Sequence, residues 1–185
     1  MSTLDTEVVE NAIKKGDEKA FELIFVTYFN KVKYFIVGLI KSQDDAEELA
    51  QDIFVKLWMN RETIDFEKNL SSYLHTAARN ATINFLKSKF VRDSYASDQI
   101  YQGEEKESVE ENYYAQETAL LIKMAVSQMP EKRKEIFELS REKGLSNEEI
   151  ANQLGISKKT VENQLSLALK EIRKIITFFF TPFIL

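Results

Sequence analysis

Polar side chains recur at helical spacing near the carboxyl end of the sequence. They are Lys158, Lys159, Thr160, Glu162, Asn163, Ser166 and Lys170. Lysine can hold a phosphate, while amide, hydroxyl and carboxylate groups can hydrogen-bond to base edges. The apolar residues among them are Val161, Leu165, Ala168 and Ile172, spaced by four, three and four. This pattern predicts one amphipathic helix with its polar face available to a nucleic acid.

The residues before this helix complete a helix-turn-helix pattern. Ser146 and Glu149 match the S-x-x-E capping box that opens a helix. Gly155 is suited to end that helix, and Ser157 is suited to cap the next one. Ala151 is small enough for the two helices to cross closely. Such a pair places its second helix in the major groove of DNA. An ordinary helical hairpin with a solvated face remains the alternative.

The same sequence contains few residues that could carry out catalysis. It has no cysteine and one histidine, His75, which we expect at the surface or as a helix cap. A phosphate-binding glycine loop and an H-E-x-x-H pattern are both missing from it. Asp44, Glu48 and Asp52 could hold a metal only with further ligands that the sequence does not bring to them. We therefore expect no enzyme, no cofactor, no metal and no small-molecule substrate.

Composition and charge predict two small helical domains. Only 5 glycines and 2 prolines occur, which suits long helices and an all-α fold. Net charge is -5, and residues 91–116 are acidic and lose the apolar periodicity. We expect domains at 1–90 and 117–174, a flexible linker at 91–116, and a hydrophobic tail at 175–185 that docks on protein. The sequence shows no signal peptide and no apolar run of about 20 residues, so a cytoplasmic protein without membrane insertion is expected.

Three helices are predicted in the first domain. An apolar stripe runs from Ala20 to Ile40, and Ser42 with Asp45 opens a second helix. The stripe of the second helix is Ala46, Leu49, Ala50, Ile53, Phe54, Leu57 and Trp58. The third helix is predicted to bury Leu70, Tyr73, Leu74, Ala77, Ala81 and Phe85.

In order, these motifs resemble the extracytoplasmic-function sigma factors of the bacterial sigma-70 family. FELIFVTYFNKVKYFI resembles the family's opening helix, and DDAEELAQDIFVKLW its core-polymerase-binding helix. SSYLHTAARNATINFLKSK resembles its promoter-melting helix, and residues from 129 to 174 resemble its second domain. The resemblance implies an alternative sigma factor whose partners are core RNA polymerase, promoter DNA and an anti-sigma factor.

The resemblance also implies a role for each group of residues. Core polymerase would be bound through Asp44, Asp45, Glu48, Gln51 and Asp52. The minus-ten element would be read and melted by Arg79, Asn80, Asn84 and Lys87, with residues 60–69 forming a pocket for an extruded base. The polar face of the helix-turn-helix would bind the minus-thirty-five element. The family often has an acid at position 84 and an arginine at position 87, so this chain departs from it there. A stand-alone helix-turn-helix regulator is the alternative function.

Overall fold

The computed structural model describes residues 6–64, 70–96 and 109–181. Every regular element in these ranges is an α-helix, and the helices form two compact units, which confirms the predicted all-α, two-domain fold. The N-terminal unit contains α1 (Thr6–Lys14), α2 (Glu18–Ile40), α3 (Gln43–Met59) and α4 (Leu70–Ala96). The C-terminal unit contains α5 (Val109–Ser127), α6 (Glu131–Arg141), α7 (Asn147–Leu154) and α8 (Lys158–Phe180).

The N-terminal unit is built around α2, which packs against α1, α3 and α4. Its buried side chains are Ile24, Val32, Phe35, Ile36, Leu39 and Ile40. Ala46 and Ala50 are fully buried on α3, and their small side chains let α2 and α3 approach closely. By length and composition alone α2 could cross a membrane. A core helix of a folded domain meets the same criteria, and α2 packs against three other helices of its unit.

Short, well-capped turns fix the order of the first three helices. The Asp17 carboxylate caps α2 by accepting the amide hydrogens of Lys19 and Ala20 at 2.9 and 3.2 Å. At the other end Lys41 takes a left-handed conformation with φ 59, which ends α2. The Ser42 hydroxyl then accepts the amide hydrogen of Asp45 at 3.4 Å and opens α3, as the sequence predicted.

The buried face of α4 differs from the predicted one. Leu70 and Leu74 are buried as expected, but the other four predicted positions are only half-buried. The other buried residues of α4 are Ser71, His75, Ala78, Thr82, Ile83 and Leu86. The hydroxyl of Thr82 is satisfied within the helix, because it donates to the Ala78 carbonyl at 2.8 Å. An apolar pattern alone cannot anticipate such positions.

The prediction that His75 lies at the surface is wrong. This side chain is only 6% exposed, and its ring meets that of Phe35 edge-on at 5.1 Å. Burial, together with the nearby Arg79 charge, lowers the pKa of His75 below its ordinary value. The imidazole is therefore a neutral part of the core of this unit.

The N-terminal unit should lose stability as His75 becomes protonated. Because the folded-state pKa is lowered, the contribution of His75 is complete above the unfolded-state pKa of about 6.5 and is lost as pH falls towards the folded-state value. We expect a lower urea midpoint at pH 5.5 than at pH 7.5, and a smaller difference for His75→Gln. Equal pH dependence in the two proteins would show that His75 does not contribute.

The helices extend beyond the predicted domain boundaries. Residues 91–96, assigned to the linker, continue α4, and residues 109–116 belong to α5. Once started, a helix continues through residues with high helix propensity even where no apolar face is present. The last residue of the apolar pattern therefore does not mark the end of the helix. Residues 97–108 of the predicted linker lie outside the described part. The tail predicted from residue 175 begins inside α8, where Ile175 and Ile176 pack against the core of the C-terminal unit.

Candidate nucleic-acid and partner interfaces

The predicted helix-turn-helix is formed by α7 and α8. Both halves of the capping box are present: the Glu149 amide donates to the Ser146 hydroxyl at 3.3 Å, and the Ser146 amide to the Glu149 carboxylate at 2.8 Å. These bonds also lower the pKa of Glu149. Gly155 ends α7 at φ 63, a left-handed conformation that favours glycine. The Ser157 hydroxyl then accepts the Thr160 amide at 3.1 Å and opens α8.

A small apolar core fixes the angle between these helices. Its buried members are Ile136, Leu139, Ile150, Ala151 and Val161. Ala151 of α7 is buried in the same cluster as Val161 of α8, as expected for a small residue between two closely packed helices. A second cluster joins α8 to α5 through Ala125, Met129, Ala168 and Ile172. Two separate contacts therefore hold α8 in a defined orientation.

Arg133 adds a polar clamp between α6 and α8. Its Nε donates to the Gln164 side chain at 3.1 Å, and its guanidinium also forms an ion pair with Glu171. The Arg133 side chain is 16% exposed, whereas the Glu171 side chain is 43% exposed, so water reaches the ion pair from the side of Glu171. Gln164 and Glu171 are two turns apart on α8, which means that one residue of α6 fixes a long stretch of that helix. No local pattern in the sequence identifies Arg133 as a residue that joins two helices.

All seven predicted side chains of α8 reach solvent. Six of them are exposed and Glu162 is half-buried. Those that share one side of the helix, at spacings of three and four, are Lys159, Glu162, Asn163, Ser166 and Lys170. Lys159 lies 3.5 Å from Glu162, and Lys158 lies 3.7 Å from Glu148 at the start of α7. Pairs this exposed are weak, so the lysines can exchange a carboxylate for a phosphate at little cost.

The acidic helix α3 presents a second face. Asp44, Glu48, Gln51 and Asp52 are exposed, whereas Asp45 is half-buried next to its cap. Glu47 points elsewhere, because its carboxylate accepts a hydrogen bond from Lys33 of α2 at 3.0 Å. Among the described residues no cluster of His, Cys, Asp and Glu is arranged to hold a metal ion.

Two residues missed by sequence analysis extend this acidic face. Val55 is 54% exposed and Met59 is 72% exposed, although both are large and apolar. They follow Gln51 at intervals of four, so they continue the same side of the helix. We refer to Asp44, Glu48, Gln51, Asp52, Val55 and Met59 as the α3 stripe. Exposed apolar groups bordered by polar residues mark a candidate surface for binding another protein.

A third polar face runs along α4. Asn80 and Asn84 are exposed, and Lys87 and Arg79 are half-buried beside them. Thr76 and Ser88 are also exposed and continue the spacing of four in both directions. Tyr73 is half-buried, and this burial raises its pKa above the ordinary value. The face therefore offers hydroxyl, amide and cationic groups in a row.

Two family descriptions match the chain. "Sigma-70 region 2" matches residues 24–90, and "Sigma-70, region 4" matches residues 119–172. The chain belongs to the sigma-70 family, in its extracytoplasmic-function group. It is an alternative sigma factor, which directs transcription initiation. The first match contains the α3 stripe and the polar face of α4, and the second contains the helix-turn-helix.

Relatives of this sigma factor cover different parts of it. The sigma factor SigW of Bacillus subtilis is 30% identical over 77 residues, which are 42% of this chain and 41% of that protein. The sigma-H factor of Pseudomonas aeruginosa is 26% identical over 155 residues, or 79% of this chain and 80% of that protein. A solved structure of an engineered region 2 of sigmaE in complex with GTAAAA is 30% identical, with TM-score 0.44, and covers 50% of this chain and 97% of that one.

Proposed function

We propose that this sigma factor binds core RNA polymerase through the α3 stripe, opens the minus-ten region with α4 and contacts the minus-thirty-five element with α8. The observation that carries the proposal is the presence in one chain of three exposed faces with different chemistry. The α3 stripe is acidic and apolar, the face of α4 carries amides and cations, and the face of α8 is basic at its start.

The charge of each exposed face indicates the kind of partner that it binds. An acidic face repels DNA and attracts a basic protein surface, so the α3 stripe suits a protein partner. The cations and amides of α4 and α8 suit phosphates and bases. The polymerase catalyses nucleotidyl transfer, so this chain supplies no catalytic group. The chain acts in the cytoplasm. An anti-sigma factor is a further expected partner.

A pull-down with purified core polymerase tests the first step of the proposal. Transcription in vitro from a library of random promoters then tests the rest, since a sigma factor should enrich one class of sequence. Binding to core polymerase with selective transcription supports the proposal. A protein that binds duplex operators without core polymerase would instead be a stand-alone regulator.

Changing Asn80 or Lys87 to alanine should impair promoter opening more than closed-complex formation. The reason is that α4 would meet unpaired bases, whereas α8 meets duplex. Loss of a specific contact is worth about 1–3 kcal/mol, so open complexes should fall at least about fivefold. Permanganate reactivity measures opening on duplex promoters and on promoters with a pre-melted bubble. Lys89→Ala, an exposed change on another side of α4, is the control. An opening defect that the bubble fails to rescue would contradict a melting role.

Changing Lys159 or Lys170 to glutamate should weaken binding to the upstream element by about 1–3 kcal/mol, because repulsion replaces attraction to phosphate. Both side chains are exposed on α8, so the domain should stay folded. Transcription from promoters with and without the upstream element measures the effect. Lys132→Glu removes an equal charge near the start of α6 and should change little. Equal activity of all these variants on the upstream-dependent promoter would argue against this orientation of α8.

A further inference from the structure

One hydrogen bond connects α1 to the start of α4. The Leu70 amide donates to the Glu10 carboxylate at 2.8 Å, across a sequence separation of 60 residues. Leu70 is the first residue of α4, and the first turn of that helix contains no acid of its own. The Glu10 carboxylate therefore satisfies an otherwise unpaired helix amide and places a negative charge at the positive end of the helix dipole.

Glu10 is held in place by the packing of α1. Ile13, three residues further along the same side of α1, is fully buried. The Gly16 amide donates to the Ile13 carbonyl at 2.8 Å, and Gly16 has φ 80, so α1 ends in a tight turn. Asp17 then caps α2 directly. With so short a connection to the central helix, Glu10 is preorganised to meet α4.

The capped end of α4 leads directly into its polar face. Helix ends fray when their first amides have no partner, and fraying of the first turn would loosen the residues that follow. That first turn contains Tyr73, and the exposed face begins at Thr76 and continues to Asn80 and Asn84. The orientation of this face therefore depends on where the helix begins.

We infer that Glu10 is a positioning residue for promoter opening: its carboxylate fixes the first turn of α4, so that the polar face of α4 meets the unpaired strand in one orientation. The inference rests on the proposed function of α4. Glu10 lies outside the family match, which begins at residue 24.

Amide hydrogen exchange of the full-length protein tests the cap without reference to transcription. We expect the Leu70 amide to exchange about fivefold faster in Glu10→Ala than in the wild type. In Glu10→Gln it should stay close to the wild-type rate, because the amide oxygen can accept the same hydrogen bond. Asn11→Ala, an exposed change on the same helix, is the matched control. Unchanged exchange of Leu70 in Glu10→Ala would overturn the cap.

Permanganate assays with core polymerase, on a promoter selected by the wild type, test the role in opening. Glu10→Ala should lower open-complex formation about fivefold while closed complexes persist, and Glu10→Gln should recover most of the loss. Ile36→Val destabilises the core of the same unit from α2 and leaves α1 and its carboxylate unchanged, so it should open promoters normally. An equal defect in Ile36→Val, or normal opening by Glu10→Ala, would overturn the positioning role. If the wild type supports no transcription, the proposed function and this role both fail, whereas the exchange rates still report on the cap.

Discussion

Reversing two charges on the α3 stripe should abolish stable binding to core polymerase. Glu48→Lys with Asp52→Lys replaces two exposed carboxylates by cations on the face that we propose meets a basic surface. Close charge pairs across protein interfaces are worth about 1.5–7 kcal/mol, so the double change should cost at least about 3 kcal/mol, or about a hundredfold in affinity. Competition with a labelled sigma factor for core polymerase measures the loss.

The same helix offers a matched control for this experiment. Glu47→Gln also removes a carboxylate of α3, but one that is bonded to Lys33 within the N-terminal unit. It should leave polymerase binding almost unchanged and lower stability by at most about 1 kcal/mol, as expected for a partly exposed pair. If Glu47→Gln weakens binding as much as the two charge reversals do, the loss is not specific to the α3 stripe.

Replacing Arg133 by alanine should destabilise the C-terminal unit by about 2–3 kcal/mol. The change removes a hydrogen bond to Gln164 and the ion pair with Glu171. The hydrogen bond of the charged guanidinium is worth about 1.5–3 kcal/mol, whereas the ion pair adds less than about 1 kcal/mol because the Glu171 side chain is 43% exposed. Hydrogen exchange of α6 and α8 amides in the full-length protein measures the loss of protection.

Two further variants separate the clamp from the charge. Arg133→Lys keeps the positive charge but loses the fork that reaches two acceptors, so it should recover only part of the stability. Lys134→Ala breaks the neighbouring pair with Glu138, whose atoms are 3.7 Å apart at the surface, and should cost less than about 0.5 kcal/mol. A loss in Lys134→Ala as large as that in Arg133→Ala would show that Arg133 has no special role.

Local sequence signals predicted much of the fold. The caps at Ser42, Ser146 and Gly155 each depend on residues only a few positions apart, and all three are found where the pattern placed them. The buried side of α3 was predicted correctly for the same reason, since apolar residues at four-residue spacing mark the buried side of a helix. The exposed faces of α3 and α8 followed as the opposite sides of these stripes.

The features that were missed depend on tertiary packing. His75 is buried because Phe35 of another helix covers it, and Arg133 is informative only once Gln164 and Glu171 lie beside it. The contact between Glu10 and Leu70 joins parts of the chain too distant for any local motif. Val55 and Met59 are different, because their spacing from Gln51 was visible in the sequence and could have identified them.

The only tryptophan of this sigma factor lies in the N-terminal unit, so its fluorescence can be used to follow that unit. Trp58 is on α3 beside Met59, with the Phe21 ring at 4.9 Å and the Arg61 guanidinium 4.6 Å from its own ring centre. Because the C-terminal unit contains no tryptophan, indole fluorescence follows the N-terminal unit alone. In the free protein, a spectral change would therefore report events near α3, while unfolding of the C-terminal unit would leave the emission nearly constant.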